Sequence, residues 1–530
     1  MSFIRNVFKN TLQVLLATLL LFVILETVFY LFSFPQGASR FVEQIIIKES
    51  LSPKKPKGQF RIFTYGESTM YGAHYGAVSS PARWLEAYLK DFLPDQNIKV
   101  VKFARLGCGS HFVYDTFKQT LAYQPDIAIF YVGHNSFLPG NRKDQVKAEE
   151  DSFSGRLRSL MQESRFISAV YRWALWFKMK FKKNPPSDYP ASYVIEKLPP
   201  QAKADDFIDR DESVYWENIA FTEENILNIL ALAESKGVHV LFLKPVSNLK
   251  DFAPTYSLNR EALSPRELAK WDRLFADGKW EQTEGNLKKA MELYQQAYDI
   301  DSDYADLAFR LGQVHFMNRD FNQARRYFEE ARDHDAFINR ATSDMLRVFD
   351  ELEKTKNIHL VNTEEILIPE TEGEILGEPI IEDNVHFSLK GHFLVGLALA
   401  KEIAENNWIV PVEKWKFDRG RSYDEVAEQI GINQELLISA YLNSLLYFGN
   451  RLDNRIRFAK KILTLDPNQP QALRHLAWAY WLKGQQQEAL SIYEKLDLAD
   501  PEVLSEVFRL QPRIKKAFRT MRASSPALSV

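Results

Sequence analysis

At 530 residues the chain has room for more than one domain. Hydrophobic residues make up 45% and charged residues 26%, which fits a folded protein and excludes a disordered one. A formal net charge of -3 gives no electrostatic reason to expect nucleic acid as a partner, and a single cysteine, Cys108, excludes a disulfide framework and a cysteine-rich metal site.

The first element is apolar. Residues 11–32 read TLQVLLATLLLFVILETVFYLF, with Glu26 as their only charge. Roughly 20 apolar residues cross a bilayer as a helix, so a transmembrane anchor is expected over 11–33, behind a short cytoplasmic segment, 1–10. A cleaved signal peptide is the competing reading, but the run is longer than the usual h-region of about 7–15 residues and no small-x-small site follows. Arg5 and Lys9 before the span are nearly balanced by Arg40 and Lys48 after it. The orientation expected, N-terminus inside and the bulk periplasmic or extracytoplasmic, therefore rests on the habit of first apolar segments to act as signal-anchors. Glu26 near the far end is costly in lipid, and reaches either the interface or a partner helix. Residues 34–59 read as a linker.

From there short apolar runs alternate with amphipathic helices. The runs are 61–66, 98–104, 126–133, 238–246 and 358–363; helical patterns lie at 81–92, 113–123 and 216–236. Near-continuous apolar strands separated by helices predict a parallel sheet covered on both faces, an α/β domain. The first strand runs into GESTMYG, 66–72, which sets Ser68 at the carboxyl edge of the sheet, where ligands of open α/β folds bind. Serine is also a common helix cap at such a place. RLGCGS, 105–110, follows the second strand and VGHNS, 132–136, the third. An acyl-transfer site needs donors aimed at a developing oxyanion, and Asn135 with the N–H groups of Gly107 and Ser68 are the candidates; turn residues tolerant of positive φ are the plainer alternative.

Residues 165–183, RFISAVYRWALWFKMKFKK, form an aromatic and basic helix suited either to an anionic membrane surface or to packing on the domain. A loop over 184–190 follows. Between the fourth and fifth strands, Phe275, Gly278, Ala290, Tyr294 and Ala297 recur 34 residues later as Phe309, Gly312, Ala324, Phe328 and Ala331. That period marks tetratricopeptide-like helical hairpins.

After the fifth strand, DNVHFSLKGH at 383–392 sets Asp383 three residues before His386. Nucleophilic serine chemistry needs a base for the hydroxyl proton and a carboxylate to orient that base, and Asp-x-x-His supplies both; a capping Asp beside an incidental histidine is the alternative. Near the C-terminus the 34-residue spacing returns in Leu442 and Leu476 and in Pro467 and Pro501, while Gly449 and Gly484 miss it by one. Leu476, Ala477, Tyr480, Ala489 and Tyr493 mark the clearer unit. Two units in each block fall short of the three usually needed to stand alone, so each block is expected to pack on the α/β domain or on the other.

Taken together, GESTMYG, RLGCGS, VGHNS and DNVHFSLKGH, each following a successive strand, resemble the four blocks of the SGNH/GDSL hydrolase family. The resemblance covers roughly 60–250 and 355–405. It implies a flavodoxin-like parallel sheet sandwiched by helices, with catalytic Ser68, His386 and Asp383 and an oxyanion hole from Ser68, Gly107 and Asn135. Glu67 stands where the family usually has Asp, Lys102 where Asn is common, and Ser136 where an acidic residue is common; the last two are expected to alter substrate contacts. The domains expected are the anchor, 11–33; the hydrolase-like domain, 60–262 and 341–412; the repeat insertion, 263–340; and a C-terminal helical region, 413–530.

Two functions follow. One is a membrane-anchored serine esterase or acyltransferase acting on an acylated envelope glycan or lipid. The other is a catalytically silent scaffold whose repeats bind partner proteins. No cofactor and no metal are expected: the histidines are scattered, and His386 with His392 lacks the helical spacing of zinc motifs.

Overall fold

The computed structural model describes residues 2–31, 38–76, 78–180, 207–260, 262–356, 358–447, 452–493 and 495–496. Phe181, the loop expected over 184–190, Gly449 and Pro501 lie outside them. The chain divides into two compact units, the first ending at Gly431 and the second starting at Ile432.

Among the described residues the first unit is built on five parallel strands: β1 (Gln59–Gly66), β2 (Asn97–Ala104), β3 (Ile127–Tyr131), β4 (His239–Leu243) and β5 (His359–Val361). Their order is β2-β1-β3-β4-β5, the flavodoxin-like arrangement. All five residues of β3 are buried, as a strand covered on both faces requires. One face carries an aromatic row in register: Tyr65 pairs with Phe103 and Phe130, and Phe130 with Phe242. The Tyr65–Phe130 and Phe130–Phe242 rings stack with centroids 5.0 Å apart. The fourth strand is shorter than its apolar run because Pro245 has no N–H to continue the ladder.

Three boundaries differ from expectation. Residues 34–59 are not all linker: Arg40–Lys48 is a helix capped by Ser39, and its Val42 and Ile46 enter the core under the sheet. The segment after 412 belongs to the first unit: Tyr423 stacks on Trp84 at 5.3 Å, and Arg421 grips Asp91 through two hydrogen bonds. The N-terminal helix runs over Ser2–Leu31, of which Gln13–Leu31 has a mean hydropathy of 2.5 and is long and apolar enough to cross a membrane.

The inserted helices are Pro265–Thr283, Leu287–Tyr298, Ala305–Met317 and Phe321–Asp333. The small residues do what the period implies. A Cβ on Gly278 would lie 2.6 Å from the Tyr294 ring, and one on Gly312 would lie 2.6 Å from the Phe328 ring. Phe309, Phe328 and Ala331 share a cluster with Leu249 and Ile375, so the insertion packs on the α/β unit. The second unit, described by itself, has among its described residues four helices from Gln434–Tyr447 to Gln486–Tyr493 around Leu445, Phe458, Leu476, Ala477, Ala489 and Tyr493.

Candidate active site

The chain reverses direction across the sheet between β1 and β3, and the crevice beyond their carboxyl ends is where doubly wound folds bind ligands. Gly66 pairs with Ala104 on one side and Tyr131 on the other, so Ser68, Gly107 and Asn135 follow three adjacent strand ends. Glycine is required at position 66, where a Cβ would lie 2.5 Å from the Tyr131 carbonyl oxygen. Ser68 opens a short helix, Ser68–Tyr71, and as its first residue has an N–H with no intrahelical acceptor.

The Asp-x-x-His segment, with His386 318 positions beyond Ser68, arrives as a tight loop closed by an antiparallel bridge between Ile381 and Phe387. Phe387 is fully buried, and the Val385 carbonyl accepts the Thr69 hydroxyl at 3.1 Å, tying this loop to the Ser68 helix. His386 Nε2 then lies 2.7 Å from Ser68 Oγ, and His386 Nδ1 lies 2.6 Å from Asp383 Oδ2. Asp383 is fully buried and all its acceptors are used. Oδ1 takes the N–H groups of Val385 and His386 at 3.0 and 2.9 Å, and Oδ2 takes a second imidazole, His74 Nε2, at 3.0 Å. Burial works to raise the Asp383 pKa, but the adjoining His386 and His74 hold it well below the ordinary 3.8. An ionised carboxylate only accepts, so both facing imidazole nitrogens carry hydrogen, and His386 Nε2 is left to accept the Ser68 proton.

The oxyanion candidates are fixed in a different way. Asn135 Nδ2 donates to the Cys108 carbonyl at 3.1 Å, and Asn141 Nδ2 donates to the carbonyls of Gly107 and Asn135 at 3.1 and 2.9 Å. Gly107 has φ +65°, which favours glycine. These bonds bring Gly107 and Asn135 together.

Glu67, adjoining the serine, is buried and accepts the N–H groups of Gly133, His134 and Asn135 at 3.0, 3.1 and 3.4 Å. It thereby clamps the loop after β3 to the end of β1. Burial pushes its carboxyl up to about 8, against the downward pull of the three donors. His134 is bracketed: Nδ1 accepts from the Ala341 N–H and Nε2 faces the Tyr131 hydroxyl, both at 3.1 Å. Burial depresses its pKa to about 3, so the ring is neutral.

The two departures expected to touch substrate have polar atoms engaged elsewhere. Lys102 Nζ donates to the Tyr71 carbonyl at 2.5 Å, and the Ser136 hydroxyl accepts from Thr222 at 2.8 Å. His74 and Asn141 were not among the candidates the sequence offered, and Glu67, noted there only as a departure from the family's Asp, had no clamping role to announce it.

His74, Asp383 and His386 offer ligand atoms within 4.8 Å of one another, close enough for a metal ion. Separations of 2.6 and 3.0 Å are hydrogen-bond lengths, and the nitrogens a cation would take hold the protons that bridge to Asp383. The donor set fits a hydrogen-bonded relay better than a ligand sphere.

Tetratricopeptide repeat models match residues 274–335 and 470–503. No curated protein matches the chain. Among solved structures it is similar to a GDSL-like lipase from Bacteroides thetaiotaomicron, at 11% identity over 69% of this chain and 98% of that one, TM-score 0.29. An acylhydrolase from Bacteroides fragilis matches at 9% identity over 70% and 96%, TM-score 0.31. An acetylxylan esterase from Geobacillus stearothermophilus matches at 10% identity over 65% and 94%, TM-score 0.27. The chain carries tetratricopeptide repeats; the reading of the α/β unit rests on its own strand order and on the hydrogen-bonded group at the sheet edge.

Proposed function

We propose that this chain is a membrane-anchored serine hydrolase or acyltransferase with Ser68 as nucleophile, His386 as base and Asp383 as the orienting carboxylate. The observation that carries the reading is the unbroken relay from Ser68 Oγ to His386 at 2.7 Å and from His386 to Asp383 at 2.6 Å. Ser68 Oγ bonds to the ester carbonyl carbon while its proton passes to His386 Nε2. The oxyanion is held by the N–H groups of Ser68 and Gly107 and by the Asn135 amide hydrogen not given to Cys108. As the intermediate collapses, the C–O bond to the alcohol breaks and His386 returns the proton to the leaving oxygen. Water or a sugar hydroxyl then attacks the acyl-Ser68, its proton going to His386, and serine is released.

The apolar N-terminal helix supports an anchor; the orientation proposed with it, N-terminus cytoplasmic and catalytic unit periplasmic or extracytoplasmic, rests on the habit of first apolar segments to act as signal-anchors. An acylated envelope glycan or lipid is the substrate class that such a site can reach. The repeats favour a second role alongside catalysis, the binding of a protein partner.

A fluorophosphonate probe tests the enzymatic reading: the full chain is labelled, and Ser68→Ala is not. A folded wild type that resists the probe sinks catalysis and leaves the scaffold.

A further inference from the structure

The helix Arg165–Lys180 is inside out for a helix on a water-soluble domain. Ser168, Arg172 and Leu175, at i, i+4 and i+7, form its docked face: Ser168 and Leu175 are buried, and Arg172 makes two hydrogen bonds of 2.6 and 2.7 Å to Glu43, itself 1% exposed. The opposite face, which should be polar, carries Val170, Trp173 and Phe177, exposed at 49, 65 and 49%. Trp176 is 42% exposed beside them, with Lys180 over its ring at 4.7 Å. The helix contains no acidic residue and four basic ones, Arg165, Arg172, Lys178 and Lys180.

That apolar face is continuous with the membrane helix. Phe166, one turn before Val170, packs edge-on against Phe22 at 6.1 Å and Phe29 at 5.7 Å, and Arg165 lies 5.0 Å over the Tyr30 ring. Between those rings Glu26 accepts the N–H groups of Arg165 and Phe166 at 2.8 and 3.1 Å and the Ser164 hydroxyl at 2.8 Å. Of the two roles weighed for Glu26, docking to a partner helix is the one observed: it caps a helix of its own chain. The cap lies five residues before Leu31, about 7–8 Å inside the end of the span at 1.5 Å per residue, within the range of about 5–10 Å to which an interfacial helix buries its apolar face.

We propose that Arg165–Lys180 lies in the membrane–water interface with Trp173 and Phe177 among the lipids, its partner being the bilayer. Together Glu26 and Arg172–Glu43 make the helix a bracket between the span and the catalytic unit, setting the height of the Ser68 crevice above the membrane. The inference rests on the anchor reading and is tested so that the two fail separately. The full chain, as Cys108→Ala with a nitroxide at Trp173→Cys, Leu19→Cys or Trp280→Cys, is placed in vesicles of phosphatidylcholine and phosphatidylglycerol. Its relaxation by oxygen and by a water-soluble nickel complex is then measured. Positions 173 and 19 are expected to respond to oxygen, and position 280, on the repeats, to nickel. Adding Glu26→Ala is expected to shift position 173 toward the aqueous value. If position 173 behaves like 280 while 19 stays in lipid, the bracket is wrong and the anchor stands. If position 19 is aqueous too, the anchor fails. Shielding of position 173 from both agents means a protein covers the face, which also overturns the proposal.

Discussion

His74 carries backbone strain at the site, and no motif announced it. It is buried with φ +76°, a region that non-glycine residues enter at about 1–2 kcal/mol, and its Nε2 meets the same Asp383 oxygen as His386. We read it as a positioning residue that stops the carboxylate from turning away from His386. A hydrogen bond to a charged group is worth about 1.5–3 kcal/mol, so His74→Gly should slow fluorophosphonate labelling of Ser68 by about 10- to 100-fold. His74→Gln, which keeps an N–H donor, should recover part of the rate. His74→Gly should also melt above His74→Ala, since glycine relieves the positive φ. Wild-type labelling rates in both His74→Gly and His74→Ala would remove His74 from the mechanism. The contrast with Asp383 and His386 shows what is readable in a sequence: three residues apart, they declare themselves. His74 reaches Asp383 across 309 positions, and Glu67 acts through backbone N–H groups, which leave no residue-type signature.

At the scale of elements, the repeat insertion was legible because its packing is periodic and local. Gly278 and Gly312 are spaced by 34 residues and each accepts one aromatic ring from the next helix. A mid-helix glycine ordinarily costs about 1 kcal/mol against alanine, but here a methyl at position 312 meets a buried ring. Gly312→Ala is therefore expected to destabilise the insertion by about 1–2 kcal/mol, because overpacking outweighs the helix gain. In a Phe328→Leu background, where the ring is gone, the same change should be neutral or stabilising. Hydrogen exchange over Ala305–Met317 and Phe321–Asp333 measures both; equal effects in the two backgrounds would mean that the glycine is not there for the ring. The helices Arg40–Lys48 and Tyr423–Gln429 escaped notice for the opposite reason. Ser39 leans on Gln119 and Tyr423 on Trp84, and such partners set no local period.

Across the whole first unit, the groups buried around the site should give stability a maximum near pH 6.5. Burial holds His134 down to about 3 and His392 well below 6.5, so neither binds a proton in the folded chain at mildly acid pH, whereas both do once unfolded. Their contribution is lost as pH falls below 6.5. Glu67 acts in the opposite sense. Its folded value of about 8 lies above the ordinary 4.5, so its contribution is present below 4.5 and lost as pH rises through 8. Between pH 4.5 and 6.5 the opposed contributions of His134 and Glu67 offset each other, and the depressed His392 leaves stability rising with pH. Between pH 6.5 and 8 only Glu67 remains of the three, and stability should fall by about 1 kcal/mol per unit. Glu67→Gln, a neutral amide in place of the protonated acid, should lose some stability at pH 6.5, where its NH2 cannot accept from the His134 N–H, yet show no decline toward pH 8. Tryptophan-detected thermal unfolding across pH 5 to 9, in detergent, about spans both limbs. An alkaline limb that persists in Glu67→Gln would mean that the three backbone donors keep Glu67 ionised at neutrality. The clamp between β1 and the loop after β3 would then be held by charge.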